Sequence, residues 1–583
     1  MHYDIIIRGG RVFDGCGNPA IFADVGITGG HVAAISESGL GDATAERDIN
    51  ANGHWVTPGF IDLHTHYDAE MIVSPSLSES VRHGVTTCFV GSCSISMIFS
   101  PPEDASDIFT RVESIPREYV LPILHQHKTW SDAKGYVEFL QQQPLGPNIA
   151  SYMGHSDLRT AVMGLERAVS PKVTPSEEEM QRMETLLNEG LDQGLLGLSS
   201  MTNPWDKVDG DRHRSSALPS VYARWKEYRR LHKLLRQKDA ILQSAPNLTT
   251  KINAVFFLFT SASLWFRRKL RTTLITLMDP KADPWLSSLT AMGANFFNRW
   301  LGANFRWQAL PSPFEVYADG IDFIVFEEFP SGEIALHLQQ DLQRNELFKT
   351  PSYREQFKND YRKRFGGRVW HRDFGDAWIV DCPDETVVGK SVADVAKERN
   401  DHEVDTFLDL IIDHGRKLRW RTVIANHREH VVKRNITQPC ALIGFSDAGA
   451  HLRNMAFYNF PLHVLKFSLQ ENPALTPEKA VWRCSGEIAD WYNIDAGKLR
   501  VGDRADIAII DPVALANADL QRYAEAPFEE LGGLMRIVNR NDEVVRTVII
   551  NGRQVWDGQG FDPALGREQG VGQFLPRKNQ QQG

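Results

Sequence analysis

From Gly59 to about Trp491, short apolar runs alternate with helix-patterned stretches, and this alternation restricts the possible folds more than any other feature of the chain. The runs are GFIDLHTH, GVTTCFVG, YVLPILHQH, IASYMGH, GLLGLSS, DAILQSAP, TTLITLMD, AWIVDCPD, WRTVIANH and CALIGFSD. Between several of them lie segments such as TPSEEEMQRMETLLNEGLD, where Thr174 or Ser176 can cap a helix and glutamates occupy its first turn. Repeated βα units of this length call for a parallel sheet with helices on its outside. There are more than eight runs, so a few belong to insertions or short extra strands. A closed (β/α)8 TIM-like barrel is favoured within the α/β class, because HTH, SAPN and SDAGAH each end an apolar run, where a barrel gathers its site.

The two ends of the chain have a different texture. Residues 1–58 and 492–560 are short strand-like stretches around Gly-Gly or Asn-Gly turns, and INGRQVWDG near the C-terminus echoes IRGGRVFDG near the N-terminus. Neither block can cover its own apolar face, so the expectation is one small β-sandwich built from both ends, with the barrel, 59–491, inserted between them. Residues 285–329 hold eleven aromatics (Trp285, Phe296, Phe297, Trp300, Phe305, Trp307, Phe314, Tyr317, Phe323, Phe326 and Phe329). They suggest an aromatic-rich insertion around 285–365, either a local core or a lid lining a pocket for an apolar group. Residues 561–583 read as a tail with little to bury.

Sixty-four Lys and Arg against 74 Asp and Glu give a net charge of -10 and a pI near 6.0, which argues against a dedicated nucleic-acid binder. Six scattered cysteines with no CxxC argue against a disulfide framework and suit a reducing, cytoplasmic setting. The N-terminus lacks the pattern of a signal peptide. The most apolar stretch, Ala254 to Phe266, is shorter than a membrane span, so no transmembrane segment is expected. Arg267, Arg268 and Lys269 follow it directly. It reads as a buried segment ending at a charged surface, with peripheral lipid contact as the other reading. A homo-oligomer is compatible with the sequence.

In GFIDLHTHYD, His64 and His66 project from the same side of one strand end, which makes them a ready pair of metal ligands. Cys93 follows the apolar run GVTTCFV, and a thiolate there favours zinc over magnesium. Cys88, inside the run, reads as a small buried hydrophobe. Asp447, in CALIGFSDAGAH, can touch a metal and act as general base, or simply cap a turn.

These motifs resemble the amidohydrolase superfamily, specifically the N-acyl-D-amino-acid deacylase (D-aminoacylase) family. The resemblance rests on DIIIRGGRVFDG, VTPGFIDLHTHYD, HGVTTCFVGSCSIS, YMGHSDLR, GLLGLSS, IGFSDAGAH and LRVGDRADIAIIDP, and the middle third of the chain contributes least. It implies a zinc-dependent barrel with a small β-sandwich, binding one or two Zn2+. His64, His66, Cys93 and Asp447 would be metal ligands, with Asp447 also the catalytic base. His155 would line the substrate side. The resemblance also implies histidine ligands ending the fifth and sixth barrel strands, but here those runs offer Gln243 and Ser244, then Thr276 and Asp279. Gln243 is then a candidate substrate-facing amide. His125, His127, His337, His371 and His427 are candidates to complete the site, while His451 and Arg453 would contact substrate near the mouth.

The expected reaction is hydrolysis of a linear amide, most simply an N-acyl-D-amino acid or related N-acyl amine with a hydrophobic group. Two other readings remain open in the sequence. One is a cyclic amide hydrolase of the hydantoin or imide type, which in that superfamily commonly carries a bridging carboxylated lysine where this chain has Cys93. The other is a barrel that binds or scaffolds without catalysis.

Overall fold

The computed structural model of the chain describes residues 1–247, 250, 253–264, 267–363 and 367–578. The N-terminal block forms strands β1 (His2–Val12), β2 (Ile21–Thr28), β3 (His31–Ser36), β4 (Thr44–Asn50) and β5 (Trp55–Pro58). The barrel follows, with β6 (Phe60–Asp62) and β7 (His64–Thr65) making its first strand position, β8 (Val85–Val90) the second, and β9 (Asn148–Ser151) with β10 (Met153–Gly154) the third. Next come β11 (Gly197–Met201), β12 (Ile241–Ala245), β13 (Arg271–Ile275) and β14 (Asn304–Ala309). After a side sheet of β15 (Phe314–Asp319), β16 (Trp378–Asp381) and β17 (Arg419–Ala425), the eighth position is filled by β18 (Ala441–Ile443) and β19 (Phe445–Ala448). Every pairing around the ring is parallel, and β19 closes it by pairing with β7. The expected (β/α)8 architecture is therefore present.

The C-terminal block supplies β20 (Ile507–Ile510), the hairpin β21 (Ala524–Phe528) and β22 (Leu534–Val538), then β23 (Val545–Ile550) and β24 (Arg553–Trp556). β20 pairs with β5, so β20, β23 and β24 extend the sheet of β1–β5. Ile5, Ile7, Val25, Ile27 and Val56 from one end of the chain share a core with Ile507, Ile509 and Ile549 from the other. Each block thus buries the apolar face that it could not cover alone.

Two local expectations are corrected, and one, that surplus runs form extra strands, is met. YVLPILHQH is not a strand but lies in a helix, α1 (Arg117–His127), whose buried Val120, Ile123 and Leu124 follow helical spacing. AWIVDCPD and WRTVIANH are strands, but of the antiparallel side sheet between the seventh and eighth barrel positions. The chain after Gly566 is not frayed as far as residue 578: Leu575 N–H donates to Ile149 O and Arg577 N–H to Gly194 O, with Phe574, Leu575 and Arg577 buried. Residues 579–583 lie outside the described residues.

The further helices used below are α2 (His155–Met163), α3 (Glu177–Asp192), α4 (Trp225–Gln237), α5 (Asn253–Ser261) and α6 (Leu286–Trp300). The aromatics expected to form one insertion are divided among several elements. α6 is the helix after the sixth strand, and Phe305 and Trp307 belong to the seventh strand itself. Phe323, Phe326 and Phe329 enter a ring cluster with Phe357, Trp370, Phe407 and Trp420. That cluster is a local core, with Phe323 also at the wall of a cavity. Of the apolar stretch Ala254 to Phe266, the first part forms α5, and Trp265 and Phe266 lie outside the described residues. Among the described residues no helix is long and apolar enough to cross a membrane.

Candidate active site

Alternation along the first barrel strand places Asp62, His64 and His66 on the same side. Asp62 accepts the Ser446 hydroxyl from the eighth position, which ties the first and last strands together directly beneath the histidines. Burial pushes the Asp62 carboxyl up to about 8, so its proton is retained at neutral pH. β8 delivers Cys93 through a tight turn. Gly91 there has φ +75°, and a Cβ on it would sit 2.4 Å from Tyr152 O. Cys93 and Ser94 are also left-handed, at φ 52° and 71°, as are Asp447 at 57° and His451 at 48°. Four strained non-glycine residues around one point indicate a geometry held by its surroundings, the usual mark of a functional site.

The side chains converge. Cys93 Sγ lies 3.3 Å from His64 Nε2, and Asp447 Oδ1 lies 3.6 Å from His64 Nε2 and 3.2 Å from His66 Nε2. Ligand atoms of His64, His66 and Cys93 all fall within 4.8 Å of one another. Bonds of roughly 2.0–2.3 Å to a tetrahedral metal separate its ligand atoms by about 3.3–3.7 Å, so these donors fit one metal ion. His64 Nδ1 is 2.5 Å from Gln308 Oε1; donation to that carbonyl oxygen fixes the tautomer that leaves Nε2 free for the cluster. Gln243, where the resemblance implies a histidine, accepts the Cys93 N–H at 2.9 Å and places its amide nitrogen 3.9 Å from the sulfur. It therefore supports the loop of the thiol. Thr273, its strand neighbour on β13, also contributes no imidazole.

Burial governs the electrostatics. It lowers His64 to about 4 and raises the Cys93 thiol to about 11, so a thiolate at Cys93 requires a cation beside it. Burial also opposes charge on His66, but Glu113 and Asp447 outweigh it and raise that imidazole well above its ordinary value. Against its own burial, Asp447 is held at about 2 by His66 and His64. Glu113, whose Oε1 is 3.2 Å from His66 Nδ1, is itself raised by burial. Sequence reasoning missed both Glu113 and Gln308: RVESIP has no spacing pattern, and Gln308 acquires its meaning only when the ring closes.

His451 lies next to the cluster. Its backbone N–H donates to Glu113 O, its Nδ1 is 3.1 Å from the Ser114 hydroxyl, and burial lowers it to about 4. Ser114 also lines a cavity of about 890 Å3, whose walls include none of His64, His66, Cys93 and Asp447. Arg453 lines the same cavity, but its guanidinium is already paired with Asp319 and Glu525. The other expected residues are engaged elsewhere. His155 is buried against Glu227 at 2.8 Å, and His427 faces a separate cavity of about 290 Å3 shared with His463. Asp279 pairs with Arg428, His337 with Ser215, His371 with Asp376, and His125 with Glu103.

No family model matches the chain. An uncharacterised protein of Mycobacterium tuberculosis is 47% identical over 566 residues, covering 96% of this chain and 92% of that protein. N-acyl-D-glutamate deacylase of Alcaligenes xylosoxydans xylosoxydans is 35% identical over 198 residues, 34% of this chain and 37% of the relative. The structure superposes with a TM-score of 0.63 on N-acyl-D-glutamate deacylase from Bordetella bronchiseptica in complex with zinc and a phosphonate inhibitor, at 21% identity over 99% of this chain and all of that one. The chain belongs to one family with that mycobacterial protein, and its fold is that of the N-acyl-D-glutamate deacylase. Its buried His, His, Cys cluster is able to bind a metal ion. At the two strand positions where imidazoles were expected, the fifth strand carries the amide Gln243 and the sixth carries Thr273.

Proposed function

We propose that the chain is a zinc-dependent hydrolase of a linear amide, deacylating an N-acyl-D-amino acid or a related N-acyl amine. The observation that carries this reading is the convergence of His64, His66 and Cys93 within 4.8 Å of one another, with Asp447 3.2 Å from His66 and 3.6 Å from His64, on the C-terminal ends of the barrel strands. His64, His66 and Cys93 would hold the zinc, with Asp447 at its edge. When bound, zinc polarises a carbonyl and acidifies a water molecule. Asp447 has the protonation state and the position for proton transfer. It is ionised at neutral pH, and its side chain is 15% accessible whereas His64 is fully enclosed, so it can take a proton from an attacking water and return it to the leaving amine. Gln308 keeps His64 oriented throughout.

The cavity beside Ser114 has apolar walls at Ile115, Trp205, Phe323 and Leu336 and the charged groups Arg111 and Arg214, paired with Glu327 and Asp209. Such a mixture suits an acyl chain joined to a polar amino-acid head. The test is hydrolysis of matched N-acyl-D- and N-acyl-L-amino acids by zinc-loaded enzyme. Turnover of the D-series that stops on chelation and returns with zinc is expected. Equal rates on both series would remove the stereochemical assignment, and turnover indifferent to chelation would remove the metal.

A further inference from the structure

α6 is amphipathic in the wrong direction for a barrel helix. The residues it buries are small, namely Ser287, Ala291 and Ala294. Its large apolar residues face outward: Leu289, Met292, Phe296 and Trp300, together with Trp285 just before its first turn, are all more than half exposed, the two tryptophans at 67% and 75%. Their spacing of four, three, four and four keeps them on one narrow stripe. The stripe continues onto the neighbouring helices. Phe297 packs against Phe259 of α5 at 4.8 Å, and Phe256 of α5 packs against Trp225 of α4 at 5.3 Å. Val255, Phe256 and Phe259 are each between two-fifths and one-half exposed. A continuous apolar surface of this kind on a folded chain marks a place where water is excluded by something else.

The charge around it indicates what that is. Residues 221–304 contain fourteen Lys and Arg against four Asp and Glu, a local charge of +10 in a chain of net -10. Arg224, Lys233, Arg268, Lys269 and Arg299 are exposed, and none makes an ion pair among the described residues. Arg299 instead sits 5.2 Å from the Trp300 ring. A second copy docked face to face would bring this cationic rim against itself. A nucleic acid would leave the apolar stripe in water. An anionic bilayer satisfies both features: phosphates meet the basic rim, aliphatic and aromatic side chains enter the acyl boundary, and tryptophans lie at headgroup depth.

We propose that the outer wall formed by α4, α5 and α6 docks this protein onto an anionic lipid surface without crossing it. The inference does not depend on the reaction catalysed. The test is co-sedimentation of the full chain with vesicles of phosphatidylcholine alone and of phosphatidylcholine containing one third phosphatidylglycerol, with tryptophan emission recorded alongside. Binding to the anionic vesicles with a blue shift, weakened by salt, is expected. The doubly substituted Leu289→Gln/Phe296→Gln and Arg268→Glu/Lys269→Glu proteins should each bind about tenfold less or weaker still. These four side chains are solvent-facing, and retained thermal unfolding of the variants shows that the fold is intact. No binding to anionic vesicles at low salt overturns the proposal. So does a stable dimer in lipid-free buffer that the Leu289→Gln/Phe296→Gln protein cannot form, because the occupant of the stripe is then a second copy.

Discussion

The contact between His64 Nδ1 and Gln308 Oε1 shows how much of the site depends on side chains that never touch a substrate. Removing the amide frees the imidazole to rotate and to change tautomer, so Gln308→Ala should weaken zinc binding by roughly 10- to 100-fold in a competition titration with a chelator. Asp447→Asn keeps the shape but loses the proton acceptor. Its kcat should fall by roughly two to four orders of magnitude while the apo protein unfolds at a similar temperature. Residues of these two kinds were unequally legible. His64, His66, Cys93 and Asp447 stand at the ends of apolar strands, where period-two alternation and the family motifs both point. Glu113 follows no periodic element, and nothing local distinguishes Gln308 from any other strand glutamine. The absent histidines were legible too, as DAILQSAPN and TTLITLMDP, and the structure gives one of the replacements a purpose, since Gln243 holds the Cys93 backbone.

Secondary structure was most readable where local chemistry and periodicity agree. α3 begins with a complete capping box, in which the Ser176 side chain accepts from Glu179 N–H and the Glu179 carboxylate accepts from Ser176 N–H. Ser176→Ala should therefore cost about 1 kcal/mol in denaturant unfolding, with Glu179→Ala showing a partly overlapping loss. YVLPILHQH misleads because β-branched residues and a central proline suggest an edge strand, yet Val120, Ile123 and Leu124 bury one helical face. AWIVDCPD and WRTVIANH are strands, but periodicity cannot state which sheet a strand will join, and only the path of the chain between the seventh and eighth positions assigns them to the side sheet. The eleven aromatics misled for a similar reason. Density along the sequence suggested one insertion, a local core or a lid, whereas three dimensions divide the rings among a helix exterior, a barrel strand, the side-sheet strand β15 and a local core.

At the scale of the whole molecule, the barrel and the sheet shared by both ends were legible because each rests on many residues that agree with one another. Isolated buried groups add an acid response to the fold. Burial lowers His463 to about 4 and His232 to about 3. Above the unfolded value near 6.5 both states are neutral and these residues make stability independent of pH. As pH falls below 6.5 the unfolded chain takes up the protons first, so stability is lost between about 6.5 and 4 for His463 and down to about 3 for His232. Together the two shifts amount to about 8 kcal/mol. The denaturation midpoint of a His463→Gln protein should fall less steeply over that window than that of the wild type, and parallel curves would show that His463 is not responsible. The central claim concerns the cluster at the head of the barrel, and zinc content per chain tests it most directly. Purified protein equilibrated with zinc and freed of excess should carry one equivalent, His64→Ala should retain almost none, and Cys88→Ala, altered only in packing beside the site, should retain it in full. Wild type that emerges without zinc, or a His64→Ala protein that holds as much as the wild type, would contradict the account.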